Sequence, residues 1–209
     1  MLARRIKDPA PVLDGLVELP AGKIAAVATY LEIFAPRSGL ASRERALDEV
    51  GSLEPIGHDL ARYRRLYAEI GEAWLWFSRA LMDDAALAQI IRDPAVEPVA
   101  LVMGGRNVGL LELDFRAAGE CELAFFGLVA DMQGRGLGRV LLREAVRRAF
   151  ARPIRRLWLH TCTLDHPAAV QTYLQAGFVP YRRAIEIADD PRLTGHMPVD
   201  AAPHFPALR

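Results

Sequence analysis

Apolar residues recur along this chain in two rhythms. From Ile24 to Ile33 the run Ile-Ala-Ala-Val-Ala-Thr-Tyr-Leu-Glu-Ile suits a strand that ends before Pro36. A helical rhythm follows: Asp59 can cap a helix whose apolar positions Leu60, Tyr63, Leu66, Tyr67 and Ile70 recur at three-and-four spacing, with Gly71 as its stop. A second helical stretch follows Asp83 and ends near Asp93-Pro94. Two apolar runs, Val96 to Met103 and Val108 to Phe115, flank Gly104-Gly-Arg-Asn107 and predict a hairpin with a four-residue turn. A third strand, Cys121 to Val129, completes an antiparallel meander.

Beyond it the rhythm changes again. A helix is predicted from about Gly134 to Phe150, with Leu137, Val140, Leu141, Ala145 and Val146 facing a core and Arg135, Arg139, Arg143 and Arg147 recurring on another face. Arg156 to Thr161 is a strand, parallel to its predecessor if that helix is a crossover. A short helix begins near Pro167 and stops at Gly177, and the last strand lies around Tyr181 to Ile187. Residues 1–20 form an irregular lead-in, and residues 189–209 a tail spaced by Pro191, Pro198, Pro203 and Pro206. The 209 residues read as one domain with a mixed α/β sheet.

Charge narrows the partners. Lys+Arg and Asp+Glu balance at 26 each, so the chain lacks the basic field of a nucleic-acid binder. No uncharged apolar run reaches about 18 residues, which argues against a membrane protein and for a cytoplasmic one. Cys121 and Cys162 both sit in apolar, strand-like stretches and read as reduced structural thiols.

The chemistry concentrates at Gln133-Gly-Arg-Gly-Leu-Gly138, between a strand and a helix. Glycines let the backbone approach a ligand, and the first amides of a helix point at any anion placed there. Followed one strand later by Tyr173-Leu-Gln-Ala-Gly-Phe178, this segment resembles the pyrophosphate motif of the GNAT superfamily of acyl-CoA-dependent N-acyltransferases, over roughly residues 20–188. The resemblance implies an antiparallel meander followed by a parallel strand pair around the acyl-CoA site, with helices on both faces. It implies acetyl transfer from acetyl-CoA to a primary amine of a small molecule or peptide, by direct attack in a ternary complex. The diphosphate would rest on Gln133, Gly134, Arg135, Gly136, Leu137, Gly138 and Arg139, and the pantetheine arm on the backbone of Leu128 and Val129.

The same resemblance points to Glu122 as general base, eleven residues before Gln133 on a strand whose apolar setting disfavours a charge. Glu112, Asp114 and His160 are rivals on adjacent strands. Tyr173 would protonate the departing thiolate, whose ordinary pKa is about 8.5; it also shares a helical face with Ala169, Val170 and Leu174, as a core aromatic would. His166 stands where many members carry asparagine and is read as an N-cap or a pantetheine contact. His160, Cys162 and His166 match no metal spacing, so no metal is expected. Tyr63, Tyr67, Trp74, Trp76 and Phe77 fall in the segment that covers the acceptor in such folds, and equally suit a core. The other readings are a non-catalytic acyl-CoA sensor of the same fold and a Rossmann-type nucleotide domain, which requires a parallel sheet. An exposed strand edge or the tail could support a homodimer.

Overall fold

A computed structural model describes residues 15–34 and 47–208 of the chain. Residues 1–14 of the expected lead-in, and Pro36, used above to bound the first strand, lie outside the described residues. Strand β1 (Lys23–Ile33) is followed by β2 (Ser52–Pro55), helices α1 (Leu60–Gly71) and α2 (Asp84–Ile91), and the meander β3 (Val96–Met103), β4 (Arg106–Asp114) and β5 (Glu120–Leu128). Then come α3 (Leu137–Phe150), β6 (Arg156–Cys162), α4 (Ala169–Gln175) and β7 (Val179–Asp189). These seven strands form one sheet in the order β2-β3-β4-β5-β6-β1-β7. Only β5 and β6 are parallel among the described strands, joined by α3 as a crossover, which excludes the Rossmann alternative.

Local chemistry sets the helix starts. The Asp59 carboxylate accepts from the Arg62 amide at 2.8 Å, and that of Asp83 from Ala86 at 2.7 Å, each filling an orphan donor of the first turn. The predicted four-residue turn is tighter than expected. Pairing reaches Met103 and Arg106, leaving a two-residue turn in which Gly104 and Gly105 have φ of 57° and 79°, a conformation that suits consecutive glycines. Helix α3 starts at Leu137 rather than Gly134, because Gly134 and Gly136 adopt left-handed φ and delay the helix.

Helices cover both faces of the sheet. Helix α3 packs on the face carrying Cys121, Leu123, Leu157 and Leu159, and its Leu137, Val140, Leu141, Ala145 and Val146 are buried as expected. Helix α1 packs on β4 and β5 from the opposite face. No helix among the described residues is long and apolar enough to cross a membrane.

The tail is not loose. Arg192 is buried, pairs with Asp190 at 2.7 Å and donates to the carbonyls of Ala201, Ala202 and Phe205. Through these bonds one guanidinium gathers the segment into a fold, and Met197, Ala201 and Ala202 close a small core with Ile24, Ala26, Leu75 and Leu164. Proline spacing shaped the segment without freeing it.

Candidate active site

The site begins where two strands part. Parallel pairing of β5 and β6 covers Glu120/Arg156, Cys121/Leu157 and Glu122/Trp158, after which the strands run on unpaired to Leu128 and Cys162. The far edges stay engaged, β5 with β4 and β6 with β1. From Leu123 onward the edge of β5 that faces β6 therefore has no strand partner, which leaves backbone donors and acceptors facing a gap. Val129 donates to the Val108 carbonyl at 3.0 Å and accepts from the Met132 amide at 3.0 Å, so its backbone is spent inside the protein. Since successive strand residues turn their peptides to opposite sides, Phe126 and Leu128 are the ones that face the gap. The Leu128 carbonyl is met there by the Gln133 side-chain amide at 3.1 Å.

The gap leads to the glycine turn. The Gln133 amide donates to Ala130 and that of Arg139 to Gly136, at 3.2 Å each. Between them the amides of Gly134, Arg135, Gly136, Leu137 and Gly138 donate to nothing among the described residues. A methyl group at Gly134 or Gly136 would meet no atom within 4 Å, so the turn opens onto free space. Unpaired amides at the start of a 14-residue helix attract an anion by their dipoles and their hydrogen bonds. Of the seven residues expected to hold the diphosphate, the middle five offer main-chain donors; Arg139 brings an exposed side chain instead.

Three carboxylates and a histidine were candidates for the base, and their settings separate them. Glu112 is fully buried, accepting from the Tyr63 hydroxyl at 2.5 Å and from Arg79 Nη2 at 2.6 Å. Burial lowers the Arg79 pKa, but Glu112 and Tyr63 outweigh it and hold the guanidinium charged. Burial, then Glu112, raises the Tyr63 phenol well above its ordinary range. Asp114 is clamped by Arg116 from two nitrogens; burial pushes its pKa up, and Arg116 more than reverses this. Both are structural.

Glu122 and His160 remain, and the structure brings them together. They lie on the same face of the sheet, with His160 two residues past Trp158, the partner of Glu122 at the last rung before the fork. His160 Nδ1 stands 3.8 Å from Glu122 Oε1, with the side chains 42% and 26% exposed, so solvent reaches both. Attraction to Glu122 raises the imidazole pKa more than burial lowers it.

Across the fork, Tyr173 is buried between the rings of Phe126 and Phe178, while Val170 and Leu174 on its helix are exposed. The expected apolar stripe therefore narrows to Tyr173 and the partly buried Ala169. Its hydroxyl makes no hydrogen bond among the described residues, and burial, then the charge of Asp165, raises its pKa. His166 serves its own loop: Nδ1 accepts from the Ala168 amide at 3.1 Å, and its ring lies edge-on to Trp74. Cys162 is a poor nucleophile, its pKa pushed up to about 11 by burial and by Asp165.

Two residues of this region, Arg79 and Asp165, carried no signal in the sequence. Arg79 became visible only through its contact with Glu112, across 33 positions. Asp165 accepts from Trp76 Nε1, Thr161 Oγ1 and the Cys162 amide. Trp76 fits between two glycines, since a methyl group at Gly71 or Gly127 would collide with its indole. Of the five aromatics named for the acceptor segment, Tyr63, Tyr67 and Trp76 line a cavity of about 200 Å³, whereas Trp74 faces His166 and His204 and Phe77 joins the small core.

Residues 63–178 match the profile of the Acetyltransferase (GNAT) family. No curated protein gives a match. Among solved structures, a putative acetyltransferase of that family from Novosphingobium aromaticivorans superposes with a TM-score of 0.52 at 16% identity, over 81% of this chain and 67% of that one. A GCN5-related N-acetyltransferase from Sphaerobacter thermophilus gives 0.55 at 17% identity over 79% of this chain, which spans only 52% of that relative's length. An aminoglycoside acetyltransferase from an uncultured soil metagenomic sample, in complex with sisomicin, gives 0.52 at 12% identity, over 63% and 90%. At these identities the likeness is one of fold.

Proposed function

Because the chain belongs to the acetyltransferase (GNAT) family, we propose that it is an acetyl-CoA-dependent N-acetyltransferase acting on a primary amine by direct attack in a ternary complex. The observation that carries this reading is the continuity of the β5–β6 gap with the open turn Gly134–Gly138. An extended arm can add to the free edge of β5 while an anionic head rests on five unpaired amides. Acetyl-CoA supplies an acetyl thioester, whose carbon–sulfur bond is exchanged for a carbon–nitrogen bond to the amine. Phe126 and Leu128 would hold the arm through their peptides, and residues 134–138 the diphosphate.

Glu122 and His160 form the base. An amine arrives largely as ammonium and attacks only after losing a proton, which the pair accepts on the solvent-reached side of the fork and passes to water. Tyr173 is the acid: burial and the Asp165 charge keep its phenol protonated, and its uncommitted hydroxyl can give the proton that the departing sulfur needs. After the attack the nitrogen sheds a second proton to solvent as the carbon–sulfur bond breaks, and Tyr173 recovers its own proton from solvent, so a cycle that starts from ammonium releases one net proton.

The test is calorimetry with coenzyme A combined with thiol release from acetyl-CoA across a panel of primary amines. Binding with thiol release supports the enzyme. Binding without release from any amine would replace it with a non-catalytic acyl-CoA sensor, and absence of binding would overturn both.

A further inference from the structure

Resting on the acetyl-transfer reading, we infer that the cavity beside Trp76 selects an amine whose apolar or aromatic body carries a neutral hydrogen-bond acceptor, such as a carboxamide, and that it disfavours a free carboxylate. The cavity, about 200 Å³, lies between α1, the loop after it and the folded C-terminal segment; Tyr63, Tyr67 and Trp76 form one side and Met197 and Pro198 another. Its wall is shared with the fork. The Trp76 indole lies against β5 at Gly127, and the ring of Phe125 on the same strand packs tilted against Trp76 and edge-on against Tyr67, at 5.4 and 5.0 Å. A molecule held here by its body sits next to the strand edge assigned to the thioester.

The polar part of the wall specifies the rest. Arg79 lines the cavity with its side chain 8% exposed. Its Nη2 is bound to Glu112 and its Nη1 touches Met82 Sδ at 3.8 Å, but its Nε, also buried, has no partner. A buried N–H left without an acceptor is costly and rare in a native fold, and a ligand atom is one way to satisfy it. What the site lacks is an acceptor and not a negative charge, because Glu112 already matches the guanidinium. The other charges in the wall point the same way. Arg64 is paired with Asp84 and Arg79 with Glu112, while Glu72 has no ion-pair partner among the described residues, so the lining charge left uncompensated is a carboxylate, which repels a second one. A carbonyl oxygen of an amide supplies the acceptor without that repulsion, and the aromatic rings take the body.

Three amines with one aromatic body separate these terms: phenylalaninamide, phenylalanine and phenethylamine. Thiol release from acetyl-CoA by the full chain should give phenylalaninamide the highest kcat/KM, by about tenfold over phenethylamine, as one hydrogen bond to a charged donor allows. Phenylalanine should be the poorest of the three. Arg79→Lys keeps a cation beside Glu112 and removes the Nε donor, so the amide-to-phenethylamine ratio should fall to within about threefold of unity. If that variant does not fold, calorimetric titration of the wild-type chain with the same three amines in the presence of coenzyme A gives the order directly. A preference for phenylalanine, an unchanged ratio in Arg79→Lys, or no binding of any of the three overturns the assignment. Amide-selective binding without thiol release would sustain the cavity and sink the acetyl-transfer reading, which keeps the two failures apart.

Discussion

Trp76 and Asp165 tie together the two sides of the β5–β6 fork: the indole Nε1 donates to Oδ1 at 3.0 Å, from a ring seated on Gly127 of β5 to the loop that leaves β6. The bond spans 89 positions of sequence and holds the loop after α1 to the loop that leaves β6. Asp165 also orders Thr161 and Cys162, so one carboxylate organises the end of β6 and acts by its charge on Tyr173.

Trp76→Phe removes that donor while keeping an aromatic ring between Gly71 and Gly127. Asp165 retains two partners, so the loss should be modest, about 1–2 kcal/mol. For a domain of this size that corresponds to a fall in Tm of roughly 3–6 °C, read by thermal unfolding. An unchanged Tm would mean that the bond contributes nothing to holding the fork.

Glu112→Ala tests the other long-range tie. It removes the carboxylate that pairs with Arg79 in a buried site and strands a cation there, which costs about 3–5 kcal/mol. Tyr63→Phe, losing only a hydroxyl, should cost less, about 1–3 kcal/mol. Urea unfolding of both variants checks the order. If Glu112→Ala kept full stability while turnover fell, Glu112 would be a reacting group and its structural assignment wrong.

Much of this fold was legible locally, because helix caps and turns are local devices. Asp59 and Asp83 are bonded as their sequence neighbourhoods suggest, and α3 and the meander lie close to where the periodicity puts them, with the hairpin turn two residues tighter and α3 starting three residues later than expected. Strand order was not legible. Nothing in Ile24–Ile33 shows that β1 lies between β6 and β7, since that choice is made by pairing over more than a hundred positions. Strand β2, the four residues Ser-Leu-Glu-Pro, is too short to show alternation. The candidate site divides the same way: the glycine turn, Glu122 and Tyr173 were named from the chain, whereas choosing between Glu112, Asp114 and His160 required knowing which carboxylate an arginine already holds.

Gly136→Asp should abolish coenzyme A binding. Gly136 has φ of 79° and caps α3, so a side chain there strains the turn by about 1–2 kcal/mol and, as aspartate, adds negative charge where a diphosphate is expected. Gly136→Ala carries the strain without the charge and should weaken binding far less. Calorimetry on both variants, with circular dichroism to verify folding, separates charge from strain. Full affinity in Gly136→Asp would move the diphosphate elsewhere.

Tyr173→Phe should lower kcat by about a hundredfold and leave the Kd for coenzyme A within about twofold, because the ring still packs between Phe126 and Phe178. A thiol with a lower pKa leaves without help, so an acyl donor built on an aromatic thiol should recover most of the loss. Full turnover with acetyl-CoA in the variant would remove Tyr173 as the acid.

The pH dependence turns on Glu122 and His160. Attraction to Glu122 raises the His160 pKa, so the pair accepts a proton with an apparent pKa above the ordinary histidine value of about 6.5. Activity should rise with pH through that value and flatten above it. Glu122→Gln removes the attraction, so the imidazole pKa falls and the acidic limb moves to lower pH, with kcat on the plateau reduced because a weaker base remains. Stability moves with the same sign rule: a raised folded-state pKa gives stability present below the unfolded pKa of about 6.5 and lost as pH rises through the folded value. The wild-type chain should therefore lose this contribution as pH rises from about 6.5 through the raised folded-state value, and Glu122→Gln should lose less of it. A pH–rate profile whose acidic limb is the same in both proteins would assign the base to neither residue of the pair.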